Sequence, residues 1–294
     1  MYSITAPTNF TMDDMRLDLS FKRMCEPWFV LPDTHAALDA AMHRLSTMEP
    51  QSFFGLMSSK MERPTYEVHD GVGIVPINGT MARKPSFFER IFMGLTALDD
   101  IETMIEAASA DSTVGSIMLN IDSGGGSAMG TPELAALVDR VNRESKPIVT
   151  YTSGVMGSAA YYLGAAASEI IASPSAAVGG VGTVITFLDL SKLYEMSGVK
   201  REVITNDDSP YKGVAIPGAP ISNKHREYLK EIVTESSATF KGHIKAHRKG
   251  VTEEGMNGKT YSGEKCLKMG LCDTVGSMRD AMKSAKTLAK VKRR

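Results

Sequence analysis

The stretch "NIDSGGGSAMG", residues 120–130, sets Gly124, Gly125 and Gly126 directly behind an apolar run, residues 114–121. Three readings fit such a run of glycines: a flexible spacer, a phosphate-binding loop, or the wall of an active site. Gly/Ser runs are most often spacers. A phosphate-binding loop would continue into Gly-Lys-Ser/Thr, whereas serine, alanine and methionine follow here. The apolar run predicts a buried strand, so the glycines stand at a strand end, where active sites of α/β sheets gather.

Working outward from this loop, strand and helix patterns alternate, which predicts an α/β fold with a largely parallel sheet. The predicted strands cover residues 72–81, 114–121, 147–153, 169–174, 178–190 and 201–205. The predicted helices cover residues 95–110, 131–145 with Thr131 as cap, 158–168, 190–198, 223–249 and the chain from 277 onward. Three regions follow: an N-terminal extension (1–64) with an amphipathic helix within 33–45, a main domain (65–282) and a basic C-terminal tail (283–294).

Composition narrows the class of protein. The 294 residues are 43% apolar, enough for a real core, and 33 basic residues balance 34 acidic ones. This balance gives no field that would draw the chain to nucleic acid or a membrane surface. Neither a signal peptide nor an unbroken apolar span is visible. Three scattered cysteines, Cys25, Cys266 and Cys272, fit neither a disulfide framework nor a zinc site. We therefore expect a soluble intracellular protein with no metal and no cofactor.

An active-site wall requires a reactive group nearby. Backbone N–H groups of a glycine loop can approach a substrate closely and stabilise an oxyanion. Ser158 in "TSGVMGSAAYY" stands at a predicted strand-to-helix transition among small residues and is a candidate nucleophile. It could equally be no more than the cap of the helix that follows. No histidine lies in a strand-end loop, so the candidate base is Lys212 in "NDDSPYKGVAIPGAP", which by itself could be a solvated loop charge.

Taken together, these elements resemble the signal-peptide-peptidase-A family of serine peptidases, which share the Clp-protease and crotonase type of fold. The resemblance covers roughly residues 67–282. It rests on five motifs in the family's order: "IDSGGGS", "GSAAYY", "SAAVGGVG", "YKGVAIP" and "GEKCLKMGLCDTVG". It implies a spiral of β-β-α units with a helical N-terminal extension and C-terminal helices.

The resemblance also implies the roles of single residues. Ser158 would be the nucleophile and Lys212 the general base. The oxyanion donors would be the backbone N–H groups of the glycine loop, Gly125 or Gly126, and of Ala159. The substrate would lie along the site as an added strand, with small or apolar side chains in the flanking grooves.

Two positions depart from the family pattern. Gly124 stands where proline is usual, and Gly180 stands where many relatives carry a serine that orients the lysine. Thr183 is the nearby hydroxyl that would replace this serine as lysine orienter.

The start of the chain, "EPWFVLP" followed by an amphipathic helix, resembles the phage members of the family, the capsid assembly or prohead proteases. This implies scaffold, capsid or portal proteins as substrates, a homo-oligomer, and a place in the host cytoplasm or the procapsid. Two alternatives stay open: a cytoplasmic peptidase of signal peptides and protein fragments, and a procapsid component that keeps the fold but has lost catalysis.

Overall fold

The computed structural model describes residues 28–30 and 64–292, except 87–88, 91–92, 187–188, 215 and 217–218. The amphipathic helix expected within residues 33–45 lies outside the described residues.

The strands of the described residues form three sheets. They are β1 (Trp28–Val30), β2 (Glu67–His69), β3 (Val72–Asn78), β4 (Thr80–Ala82), β5 (Leu95–Ala97), β6 (Ser116–Asp122), β7 (Gly125–Ser127), β8 (Ile148–Thr152), β9 (Val155–Gly157), β10 (Glu169–Ala172), β11 (Ala177–Gly179), β12 (Thr260–Ser262) and β13 (Thr274–Val275). The largest sheet has the order β13-β10-β8-β6-β3-β2 and is parallel except for β2. The two smaller sheets have the orders β1-β7-β4-β5 and β12-β11-β9.

The helices follow the strands at regular intervals. They are α1 (Leu98–Ala110), α2 (Thr131–Glu144), α3 (Ala159–Gly164), α4 (Ser191–Met196), α5 (Asn223–His247), α6 (Gly263–Lys268) and α7 (Met278–Lys292), with a 3-10 turn at Glu254–Met256. Each repeat of the chain adds a strand to the large sheet, then a strand to a small sheet, then a helix: β6-β7-α2 is followed by β8-β9-α3. This succession confirms the expected spiral of β-β-α units.

The core lies on both faces of the large sheet. On one face α1 buries Leu98, Ile101 and Ile105 together with α2 and the whole of α3. On the other face α7 lays Ala281 and Ala285 against the sheet. Burying a large apolar side chain of this kind contributes about 1.5–3 kcal/mol, so these helices hold the strand ends in fixed positions.

Four sequence expectations need correction. The strand predicted over residues 178–190 ends at Gly179 in β11, and the described residues that follow it up to 190 form no further strand. Residues 201–205 form no strand, because they are largely exposed and no neighbouring strand pairs with them among the described residues. The N-cap of α2 is Gly130 in the left-handed region, and Thr131 begins the helix instead. Cys266 and Cys272, which were not expected to pair, are joined in a buried disulfide.

Two further observations concern the boundaries of the chain. Helix α7 continues to Lys292 and so covers most of the segment expected as a basic tail, while the division into three regions stays a prediction. Across the described ranges, no helix is both long enough and apolar enough to cross a membrane.

Candidate active site

Ser158 occupies a strained position between β9 and α3. Its φ of 54° and ψ of −117° are unusual for a residue with a Cβ, and such a backbone costs on the order of 1–3 kcal/mol. Backbone hydrogen bonds hold it on both sides, since its N–H donates to the Gly179 carbonyl (2.8 Å) and its own carbonyl accepts from the Tyr162 N–H (2.8 Å). A serine on a sharp strand-to-helix turn is the geometry that presents a nucleophile.

The hydroxyl of Ser158 is buried and makes no capping bond. The residue is 1% exposed, and its Oγ has no hydrogen-bond partner among the described residues. The alternative that Ser158 serves only as a helix cap is therefore wrong, because a cap accepts a hydrogen bond from the first turn and this side chain does not. A buried hydroxyl without a partner costs about 1–3 kcal/mol, which marks the site as built for something other than stability.

The glycine loop lies beside Ser158. The Ser123 N–H donates to the Val155 carbonyl (2.7 Å), and the Gly157 N–H donates to the Ser123 carbonyl (2.9 Å). Ser123 thereby pairs in parallel with Met156 of β9. Cα atoms of β7, which contains Gly125 and Gly126, and of α3, the helix that follows Ser158, approach within 8 Å.

The three expected oxyanion donors differ in what they contact. The N–H of Ala159 begins α3, where no intrahelical acceptor exists. The N–H of Gly125, at φ 108°, donates to Ser123 Oγ (3.1 Å). Ser123 Oγ in turn donates to the Gly79 carbonyl (2.5 Å). Because this hydroxyl holds the Gly125 N–H, a substrate carbonyl would have to displace it.

Gly126 has a packing reason to be glycine. A Cβ at this position would lie 1.8 Å from the carbonyl oxygen of Met81 in β4, far inside van der Waals contact. Residues with side chains are therefore excluded where β7 meets β4. On its other edge β7 pairs antiparallel with β1, with Phe29 opposite Gly126 and Val30 opposite Gly125.

Lys212 makes no hydrogen bond to Ser158, whose Oγ has no partner among the described residues. Lys212 is exposed in a turn whose N–H donates to the Ser209 carbonyl (3.2 Å). The neighbouring Tyr211 is tied to α5, because Lys224 Nζ lies 4.9 Å from its ring centroid. The possible orienter, Thr183, hydrogen-bonds Ser236 Oγ on α5 (3.3 Å) instead of a lysine.

Two structural residues of the site were missed from the sequence. Asp122 Oδ1 accepts the Val155 N–H (2.9 Å) and so fixes the start of β9. The ring of His243 in α5 stacks on the ring of Tyr162, with the ring centroids 3.9 Å apart. Its Nε2 donates a hydrogen bond to the Tyr162 carbonyl (2.9 Å). Burial, with a smaller effect from His247, lowers the pKa of His243 to about 4. His243 is therefore neutral and supports α3. An acid directly before the glycine loop was the only signal for Asp122, and nothing marked His243.

The late motif "GLCDTVG" anchors the site helix from outside. Tyr161 Oη donates to the Leu271 carbonyl (2.9 Å), and burial raises the pKa of this phenol. Asp273 accepts both Arg248 Nη2 (2.7 Å to each oxygen) and the Ile170 N–H (2.7 Å). The motif thus ties together α3, β10 and the end of α5. Within the described part of the chain no cluster of side chains could hold a metal ion.

A strained, buried serine beside a glycine loop at a strand-to-helix junction is the arrangement expected of a serine nucleophile. Residues 140–292, more than half of the chain, match the sequence profile of peptidase family S49. The chain belongs to peptidase family S49, a family of serine peptidases. The matched range contains Ser158 and Lys212 and begins after the glycine loop.

Three relatives with similar sequences are each 31% identical to the chain or less. A Methanocaldococcus jannaschii protein, named only provisionally as a protease, is 31% identical over 200 residues, which are 67% of this chain and 61% of the relative. Capsid assembly protease C of Escherichia phage lambda is 24% identical over 221 residues (74% and 49%). The chloroplastic serine protease SPPA of Arabidopsis thaliana is 28% identical over 180 residues (59% and 26%). The chain thus spans about three fifths or less of the length of these relatives.

Solved structures with a similar backbone include an enoyl-CoA hydratase from Shewanella pealeana and a methylmalonyl CoA decarboxylase. The first has a TM-score of 0.42 and 10% identity, with 83% of this chain and 77% of that chain covered. The second has a TM-score of 0.41 and 12% identity, with 79% and 77% covered. The fold assignment itself rests on the β-β-α succession of the chain.

Proposed function

We propose that the chain is a serine endopeptidase with a Ser-Lys dyad, Ser158 and Lys212. The observation that carries the proposal is the state of Ser158: strained, buried and without a hydrogen-bond partner among the described residues, next to a helix that contacts the glycine strand β7. Strain and an unsatisfied hydroxyl both oppose folding, and proteins concentrate such costs at functional sites.

The proposed reaction proceeds through an acyl-enzyme. Ser158 Oγ attacks the substrate carbonyl carbon while its proton passes to the neutral amine of Lys212. The oxyanion accepts hydrogen bonds from the backbone N–H groups of Ala159 and of Gly125 or Gly126. When the C–N bond breaks, Lys212 returns the proton to the leaving amine. A water molecule then attacks the ester carbonyl carbon while Lys212 takes its proton. The ester C–O bond breaks, Lys212 passes the proton to Ser158 Oγ, and the carboxylic acid product leaves.

This mechanism requires Lys212 to approach Ser158 from its exposed position. Hydrogen bonds of catalytic groups are often long in unliganded enzymes and tighten when the substrate binds. We propose that the turn carrying Lys212 closes over the site with the bound peptide, which also removes water and lowers the pKa of the amine. Thr183 could orient the amine only by exchanging its bond to Ser236.

The dyad is tested with labelled casein and a fluorophosphonate probe. The wild-type chain should be labelled at Ser158 and should hydrolyse casein, and Ser158→Ala should do neither. Lys212→Met should lower the rate by roughly 10²–10⁴-fold, while the matched control Lys192→Met on α4 should leave it unchanged. Full activity of Lys212→Met, in a folded protein, would refute the role of this lysine.

For the biological role we propose processing of scaffold, capsid or portal proteins during phage head assembly, by a homo-oligomer. The similarity to capsid assembly protease C of phage lambda supports this. Co-expression with the head proteins of the same genome tests it: the wild-type chain should cut them and Ser158→Ala should not. Equal processing by both chains would contradict the proposal.

A second candidate is a peptidase that degrades signal peptides and protein fragments, and the similarity to a cellular serine protease, the chloroplastic SPPA, favours a role outside phage assembly. Casein hydrolysis without any cut in head proteins would support it. A third, a procapsid component without catalysis, is favoured by Gly180 at the position of the lysine-orienting serine. Entry into procapsids without labelling of Ser158 would support that candidate.

A further inference from the structure

The outer edge of the glycine strand β7 is filled by the chain's own N-terminal region. β1 (Trp28–Val30) pairs antiparallel with β7, while β4 pairs with the opposite edge of β7. β7 consists of Gly125–Ser127 and so contains both glycines that were expected to donate to the oxyanion. The edge that a substrate strand would need is therefore already paired.

The position of β1 relative to the nucleophile matches that of a substrate. Extended peptides bind by adding a strand to a free sheet edge. Cα atoms of β1 and of α3, the helix that follows Ser158, approach within 8 Å. β1 is thus the strand of the N-terminal region that lies against both halves of the candidate site.

The direction of β1 is also that of a substrate. The chain runs from Trp28, opposite Ser127, to Val30, opposite Gly125. Gly125 is one of the expected oxyanion donors, so Val30 is the residue of β1 in register with the expected oxyanion site. In an acyl transfer the residues before the scissile bond lead up to the attacked carbonyl. β1 accordingly runs as the acyl half of a substrate does.

Resting on the proposed peptidase function, we propose that Trp28–Val30 is an autoinhibitory strand that occupies the acyl side of the substrate groove. It must leave β7 before another polypeptide can bind there. The ladder has three paired positions, against seven between β3 and β6, so it is short enough to exchange. A segment of the same chain acts at an effective concentration on the order of millimolar, which a substrate at micromolar concentration does not overcome.

The expected effect is a weaker apparent affinity for peptides, because only the fraction of molecules with a free edge can bind. A vacated edge should bind a peptide roughly tenfold more tightly, which corresponds to about 1.4 kcal/mol. In catalysis the same occupation would raise KM and leave kcat unchanged.

The test uses the full chain with Phe29→Pro or Val30→Pro. Proline removes a backbone N–H, and N–H groups of successive strand residues point to opposite sides. One of these two variants therefore removes a donor to β7. Phe29→Ala and Val30→Ala keep the N–H and are the matched controls. Circular dichroism and thermal unfolding verify that each variant is folded.

Binding is measured by fluorescence anisotropy with a fluorescein-labelled peptide of residues 26–32, in a Ser158→Ala background so that no step depends on catalysis. At least one proline variant should bind the peptide about tenfold more tightly than the chain with an unaltered β1, and the alanine controls should resemble the latter. Equal affinity in all variants would overturn the proposal.

A second measurement ties the edge to the active site. With Ser158 restored, the unlabelled peptide should slow fluorophosphonate labelling of Ser158 in the proline variant. Unchanged labelling at saturating peptide would show that this edge is not the substrate groove, and would overturn the autoinhibitory strand while the peptidase function stands. If Ser158 is not labelled in any variant, the peptidase function itself fails, and the anisotropy result still decides whether β1 blocks the edge.

Discussion

Replacing Ser158 should stabilise the protein while it abolishes the proposed activity. The buried Oγ is without a partner among the described residues, so Ser158→Ala should raise the free energy of unfolding by about 1–2 kcal/mol. For a domain of about 150–250 residues each kcal/mol shifts Tm by roughly 2–4 °C. Thermal unfolding followed by circular dichroism measures this gain, and fluorophosphonate labelling measures the loss of the nucleophile.

A glycine at the same position separates the cost of the hydroxyl from the cost of the backbone. Ser158→Gly relieves the φ of 54°, which is worth about 1–3 kcal/mol, and loses about 0.5–1 kcal/mol through added freedom of the unfolded chain. The step from alanine to glycine should therefore increase stability by about 1 kcal/mol.

Ser116, at the start of β6, is the matched control, because its Oγ is also buried without a partner and its φ is not positive. Ser116→Ala should also stabilise the protein, but the step from alanine to glycine should cost about 0.5–1 kcal/mol there. Opposite signs of this step at the two sites would demonstrate strain at Ser158. The same sign and size at both sites would refute it, and a destabilising Ser158→Ala would show that the hydroxyl is partnered.

Three further predictions concern residues that support the site. Asp273→Asn leaves the buried Arg248 without its charge partner, so it should lower the free energy of unfolding by about 2–4 kcal/mol. The loss should be at the low end of this range because Asp273 is partly exposed. Urea unfolding measures it, and a loss below about 0.5 kcal/mol would contradict the prediction. Gly126→Ala should lower the free energy of unfolding by about 3 kcal/mol or more through overpacking. Gly182→Ala is the control, because a Cβ there meets open space, and it should be tolerated in the same assay. Equal stability of the two variants would disprove the packing role of Gly126. The pKa of His243 is lowered from 6.5 to about 4, so the unfolded chain binds the proton more readily and stability should fall as the pH drops from about 6.5 to 4. His243→Phe should remove this part of the pH dependence of stability. An unchanged profile would exclude His243 as its source.

Local patterns predicted the succession of strands and helices well. The period of apolar residues placed β6, α2, β8 and the long helix α5 within a few residues of their observed bounds. The failures have local causes too. Residues 201–205 are rich in β-formers, but a strand exists only when a neighbour supplies its hydrogen bonds. The propensity of single residues could not show that this neighbour is missing from the described residues.

The site was predictable in its parts and not in its contacts. The small residues around Ser158 indicated an accessible serine, but its burial and φ depend on β11, whose Gly179 carbonyl binds the Ser158 N–H from twenty-one positions away. The pairing of β1 with β7 joins residues that are almost a hundred positions apart. No periodicity within a short window contains such information. For the same reason the residues indicated Lys212 only by the lack of a histidine in a strand-end loop, and the family resemblance alone implied its role.

The sequence motifs of the site lie far apart along the chain because α3 is short and depends on distant segments for its stability. A helix of six residues is far too short to be stable alone, and here it must also hold a strained residue at its start. Its stability comes from elsewhere: Tyr161 binds the Leu271 carbonyl, and His243 binds and stacks on Tyr162. The late motif and the far end of α5 therefore belong to the active site energetically, although they contribute no reacting atom. Because the short helix after Ser158 depends on these distant supports, segments more than a hundred residues apart along this chain act on one site.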